Sequence, residues 1–204
     1  MLSRSVFGAA NALKEKLASI AGVDPASLKP DQYASVLSQH YLDNVDAQFD
    51  AKPDPSEEAY SCQAFGAQFA EVTVDPDLGL VRVPRIVSAF AAGRVLNAKT
   101  ARSQFHGGIV QGIGMALLEQ TRLDPRLGSF TNVNFAEYLC PVNADIRNIE
   151  VILVPENDPH VNPIGAKGIG EIGIVGVAPA IANAVFHATG KRIRELPITL
   201  EKLL

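Results

Sequence analysis

Apolar residues recur along the first forty positions at helical spacing. Val6, Ala10, Leu13, Leu17 and Ile20 follow one another by fours and threes, which predicts an amphipathic helix over 4–21 with Gly22 as its stop. Tyr33, Val36, Leu37, His40 and Tyr41 predict a second helix over 31–42 on the same grounds. The pattern then lapses. DNVDAQFDAKPDPSEEA, residues 43–59, is acidic, carries two prolines and has no period, and it reads as an exposed linker. From about residue 60 the period shortens to two. EVTVD, PDLG and LVRVPRIV predict a β-hairpin in which Gly79 supplies a positive φ and Pro84 marks an irregular or edge position.

A long helical stretch follows, NAKTARSQFHGGIVQGIGMALLEQTR over 97–122, with Asn97 as its cap and Ile109, Ile113, Ala116 and Leu117 as its apolar stripe. Gly107, Gly108, Gly112 and Gly114 lie inside it, although each interior glycine costs roughly 1 kcal/mol against alanine. Either another element packs closely there, or a ligand does. DPRLG over 124–128 predicts a turn, and IEVILV over 149–154 a buried strand. IVGVAPAIANAVFHAT over 174–189 predicts an apolar helix with Pro179 in its first turn and Gly190 as its C-cap. Thr199 is expected to cap a short terminal helix. The sum is an α+β fold, a mixed sheet with packed helices. It divides into a helical segment over 1–43, the acidic linker over 44–59 and an α+β portion over 60–204.

Composition narrows the function. Hydrophobic residues make up 47% of the 204 positions, enough for a core, and the net charge is −4. That balance argues against nucleic-acid binding. No apolar run is expected to span a membrane, and the N-terminal stretch reads as a helix and not as a signal peptide. Cys62 and Cys140 form no CxxC pair and the four histidines show no metal spacing, so no protein-ligated metal is expected. These features favour a reducing, cytoplasmic setting.

The densest chemical signal is GAKGIGEIG over 165–173, four glycines around Glu171. Gly168, Gly170 and Gly173 satisfy GxGxxG, but a dinucleotide site needs a strand immediately before the glycines, and prolines intervene here. The other reading is a loop built to present Glu171. Glycines on either side leave space above the carboxylate, and an apolar helix follows. A carboxylate in an apolar cleft can serve as a general base near neutral pH. The plainer alternative is an acid favoured by a helix N-terminus.

QFHGGIVQGIGMALLEQ, NPIGAKGIGEIGIVGVAPAIANAVFHATG and RELPITLEKLL together resemble the molybdenum-binding subunit of the xanthine dehydrogenase/aldehyde oxidoreductase family, specifically its C-terminal part. The resemblance is strong from about Phe65 to Leu204. It implies a molybdopterin-type cofactor, with iron–sulfur and FAD groups in partner subunits or domains. It implies that Glu171 is the general base in a hydroxylation of aldehydes or N-heterocycles whose oxygen comes from water. The family's pterin-holding glutamine falls on Gln104, seven residues before Gln111; Gly107, Gly108 and Gly112 would let this helix approach the cofactor, and Gly168 and Gly170 would let the loop do so. Lys167 would order the loop or pair with Glu171. The family's other cofactor segments have no counterpart in residues 1–64, so the resemblance implies that the rest of the subunit completes the site. Export of some relatives with a partner that carries the signal leaves the periplasm open. A fold that kept its shape and serves only as an interaction module is the alternative.

Overall fold

The computed structural model describes residues 2–52 and 59–204; Pro53, Pro55 and the acidic residues between 53 and 58 lie outside the described residues. By internal contact the chain divides into two units, residues 1–62 with 157–166, and residues 63–156 with 167–204. The excursion of 157–166 to the first unit was not part of the sequence reading.

In the first unit, α1 (Leu2–Ala21) and α2 (Tyr33–Gln39) enclose a small core of Leu17, Ala18, Leu28 and Val36. Gly22 ends α1 at φ 65°, as its position predicted. Val6, expected on the buried stripe, is 62% exposed. The second helix is shorter than expected: Pro30–Gln32 forms a 3₁₀ turn and α2 stops at Gln39. Tyr41 takes φ 55° and Leu42 N–H bonds back to the Leu37 carbonyl, a Schellman-type close that turns Tyr41 into solvent.

The second unit is built on a mixed three-stranded sheet in the order β1 (Phe65–Val74), β2 (Val81–Ala91), β5 (Asn148–Leu153). β1 and β2 form the predicted hairpin, longer than expected, in register from Phe65↔Ala91 to Val74↔Val81. Gly79 sits at φ 65° in its turn. The register slips between Glu71 and Thr73, opposite Arg82–Arg85. β2 carries the extra residue there, so Pro84 lies in a bulge where its missing N–H is harmless. β5 runs parallel to β2. It is an edge strand with an alternating pattern and Ile152 is 43% exposed, so the buried strand expected at IEVILV is corrected to one covered on a single face.

That covered face carries three helices: α3 (Ala98–Leu117), α4 (Ile172–Val175) and α5 (Val177–Thr189). Asn97 caps α3, its side chain accepting from the Lys99 and Thr100 N–H groups. α3 ends at Leu117 and not at Arg122, because the Gly114 carbonyl takes both the Leu118 and Glu119 N–H groups and closes the last turn. A small hairpin, β3 (Leu123–Asp124) with β4 (Ser129–Phe130), surrounds the predicted turn. The apolar helix begins early but is broken at Gly176 into α4 and α5; Pro179 lies in the first turn of α5 and Gly190 closes it at φ 75°. Thr199 precedes only a 3₁₀ turn and makes no capping bond.

Phe90 of β2 and Phe105 of α3 stack at 4.2 Å between sheet and helix, each at most 1% exposed. Ile86, Ile109, Val177, Ile181 and Val185 complete the centre of this core. Contrary to the sequence expectation, one window, Ile172–Thr189, is apolar enough by length and composition to match a membrane span. It is the α4–α5 pair, and Val177, Ala178, Ile181 and Val185 are buried in the core.

Candidate functional site

One face of α3 is spent on the core, through Ala101, Phe105, Ile109, Ile113 and Ala116. Gln104, Gly107 and Gln111 fall three and four residues apart on the exposed side, one stripe of the helix surface. Gly107 leaves that stripe open: a Cβ there would meet nothing within 4 Å. Gly108 and Gly112 have a different reason. A Cβ at Gly108 would lie 2.9 Å from the Gly173 backbone, and one at Gly112 would lie 2.5 Å from Val177 Cβ. These two glycines let α3 close onto α4 and α5. Close packing therefore accounts for Gly108 and Gly112, which the family resemblance had facing a cofactor.

The glycine loop is reached without a preceding strand, since β5 ends at Leu153. The geometry of a dinucleotide fingerprint is therefore missing. The base of the loop is anchored at Lys167. Its N–H bonds the Ala92 carbonyl at 3.2 Å, its Nζ meets Glu156 Oε1 at 2.5 Å, and Nζ also reaches the Gln63 carbonyl at 3.1 Å. The Lys167 side chain is 5% exposed. Glu156 in turn accepts from Gly93 N–H at 2.6 Å. Lys167 thus ties the loop to the ends of the sheet, and its cationic head is committed to Glu156, not Glu171.

Further on, Gln104 Nε2 donates to the Gly170 carbonyl at 3.0 Å. Gln68 Nε2, from β1, donates to the Gly173 carbonyl at the same distance. Glu171 stands between these two held carbonyls. It occupies the N-cap position of α4, yet its side chain makes no capping bond. Among the described residues its carboxylate has no hydrogen-bond or ion-pair partner, and it is exposed. The described residues do not form the apolar cleft expected around it. The surrounding glycines supply no wall, and Gly168 and Gly170 face open space.

The residues present fit a polar, extended ligand lying along the α3 stripe. Among the described residues, the Gln104 carboxamide oxygen and the whole Gln111 carboxamide are without a partner, and Gly107, Gly168 and Gly170 add no side chain between them. Carboxamides offer both donors and acceptors, which suits a pterin edge. A separate groove of about 1100 Å³, lined in part by Ile113, Leu117, Arg122 and Ile198, contains neither Gln104 nor Glu171. Sequence reasoning missed Gln68 and Glu156. Gln68 sits in an alternating strand where a polar residue looks solvent-facing, and Glu156 sits in a proline-punctuated loop.

The family model described as the molybdopterin cofactor-binding domain matches residues 1–147 of this chain. The aldehyde oxidoreductase molybdenum-binding subunit PaoC of Escherichia coli (strain K12) is 41% identical over 207 residues, which takes in 98% of this chain and 28% of that protein. The aldehyde oxidoreductase of Desulfovibrio gigas superposes with a TM-score of 0.62 at 31% identity, over 69% of this chain and 15% of that one. The carbon monoxide dehydrogenase of Oligotropha carboxidovorans shares the fold over 98% of this chain, with a TM-score of 0.75 at 21% identity. The chain thus spans little more than a quarter of the length of the relatives it matches along its whole extent.

Proposed function

The chain belongs to the molybdopterin cofactor-binding domain family, and from that premise we propose that it forms the Glu171-bearing part of a molybdenum hydroxylase that oxidises aldehydes. The observation that carries this reading is a carboxylate with no structural task, held on a loop whose neighbouring carbonyls are both tied down. The overall reaction converts an aldehyde and water into a carboxylic acid, two protons and two electrons. When bound, the molybdenum cofactor supplies the two-electron acceptor and the site of water activation, which are the cofactor's chemistry. The chain's own residues bind, orient and move a proton. Glu171 takes up a proton released as oxygen is transferred, and its exposure lets it face a substrate. Gln104 and Gln111 hold the pterin edge through their free carboxamide atoms. Gly107, Gly168 and Gly170 admit it to the backbone. The pocket walls and the remaining cofactor contacts come from the rest of the molybdenum subunit, and iron–sulfur and FAD subunits carry the electrons onward. The assembly works in the cytoplasm, without nucleic acid or membrane as a partner.

The test uses the complete molybdenum subunit that contains this sequence, with its partners and loaded with cofactor. Benzaldehyde drives reduction of an acceptor dye with a kcat/KM of at least about 10⁴ M⁻¹s⁻¹, well above that for a purine. Loaded enzyme that shows no aldehyde-dependent reduction would overturn the proposal.

A further inference from the structure

Gln68 projects from β1 onto the sheet face that carries the helices, opposite Ser88 of β2. Its neighbours on that side of β1 are Gly66, Ala70, Val72 and Val74. Ser88 is 0% exposed. Polar groups inside such a face are costly unless they are bonded. Gln68 Nε2 donates to Ser88 Oγ at 3.2 Å and to the Gly173 carbonyl at 3.0 Å. A carbonyl only accepts, so the nitrogen of the carboxamide must face Gly173 and the amide can sit only one way round.

The other end of the carboxamide is less well served. Among the described residues, Gln68 Oε1 is buried without a hydrogen-bond partner. It points at Gly176, the junction of α4 and α5, where a Cβ would collide with it. An apolar side chain of similar length would fill this space without stranding an oxygen. What the amide adds is its grip on Gly173, two residues beyond Glu171. A helix as short as α4 leaves its carbonyls and N–H groups in need of outside partners, so this grip has no intrahelical substitute.

The geometry points to Gln68 as a positioning residue for Glu171. Gln104 holds the Gly170 carbonyl before the carboxylate and Gln68 holds the Gly173 carbonyl after it, so the two glutamines clamp the loop from opposite sides. The catalytic consequence rests on the reading of Glu171 as the base; the hold on the loop is measurable without it.

Gln68→Met keeps the bulk and removes the donor. In the complete molybdenum subunit, amide hydrogen exchange over residues 168–176 quickens about tenfold or more while the β2 and α3 amides keep their rates. Gln68→Leu gives the same pattern. Ser88→Ala, which leaves the Gly173 bond in place, changes exchange over 168–176 by less than about twofold. In the complete enzyme Gln68→Met retains molybdenum and its KM, and kcat falls about tenfold, because the base is no longer held at its working position. Unchanged exchange over 168–176 in both Gln68 variants overturns the hold. Faster exchange throughout the unit, or equal loosening in Ser88→Ala, also overturns it, as a packing defect. Local loosening with unchanged kcat overturns the positioning role. Full turnover in Glu171→Gln would defeat the catalytic reading alone and leave the exchange result standing.

Discussion

Glu171→Gln in the complete, loaded enzyme lowers kcat by about 10²–10⁴-fold, the usual contribution of a general base. Glutamine matches glutamate in shape and cannot take up a proton. At about 1.36 kcal/mol per tenfold, the loss corresponds to roughly 3–5 kcal/mol of transition-state stabilisation. The structure says why little else should change. The carboxylate makes no capping bond to α4 and no ion pair among the described residues, so neutralising it breaks no contact in the fold. Stability is expected to stay within about 0.5 kcal/mol of the parent, as for exposed substitutions with no partner. Molybdenum content and KM are expected to hold, because the pterin contacts assigned here lie on Gln104 and Gln111. Steady-state kinetics beside metal analysis decide the matter. A parallel loss of metal would make Glu171 a binding residue, and normal turnover would remove it from the mechanism.

Lys167→Met carries the largest expected effect on stability, about 3 kcal/mol. Removing one partner of a buried pair leaves the other charge without its compensation, which typically costs about 3–5 kcal/mol. The lower end applies here, since the Glu156 side chain is 20% exposed and also accepts from Gly93 N–H. For a unit of this size the loss lowers the melting temperature by roughly 6–12 °C. Adding Glu156→Leu removes the other half of the pair as well, and the double variant recovers part of the loss, as coupled neighbours do. Thermal unfolding of the two single variants and the double variant measures this coupling. Additive losses would mean that the 2.5 Å contact contributes nothing specific. The same substitution is expected to slow turnover, because Lys167 anchors the loop four residues before Glu171.

The parts of this structure that were legible in the sequence are those set by short-range chemistry. Asn97 could be assigned as a cap because an asparagine before a helical pattern has one efficient way to serve the first N–H groups. Gly79 and Gly190 could be assigned because a turn and a C-cap need positive φ. Pro84 marked an irregular or edge position because it removes a donor from the sheet, and the structure resolves that choice as a bulge. For Glu171 the glycine loop left a general base and a helix N-terminal acid as equal readings, and the family resemblance chose between them; Gln104 and Gln111 came from the resemblance alone, since the residue type of Gln104 favoured a plain surface position. What could not be read depends on partners distant in the chain. Gln68 meets Gly173 across 105 residues, and Lys167 meets Gln63 across 104. No local pattern encodes either pairing. Gly108 looked like room for a ligand until the backbone of Gly173 was found in that space. The cleft expected around Glu171 failed for a similar reason: an apolar sequence following the glycines builds the core beneath the loop and not a wall above it.

The molybdenum content of the native polypeptide that carries this sequence, captured from its own cells with an antibody, decides whether the chain serves a molybdenum enzyme. About one molybdenum atom per polypeptide, with pterin, is expected in an assembly that includes the rest of the molybdenum subunit. A polypeptide recovered intact but free of molybdenum and pterin would contradict it, and the chain would then be an interaction module that kept the fold and its glutamate loop without the cofactor.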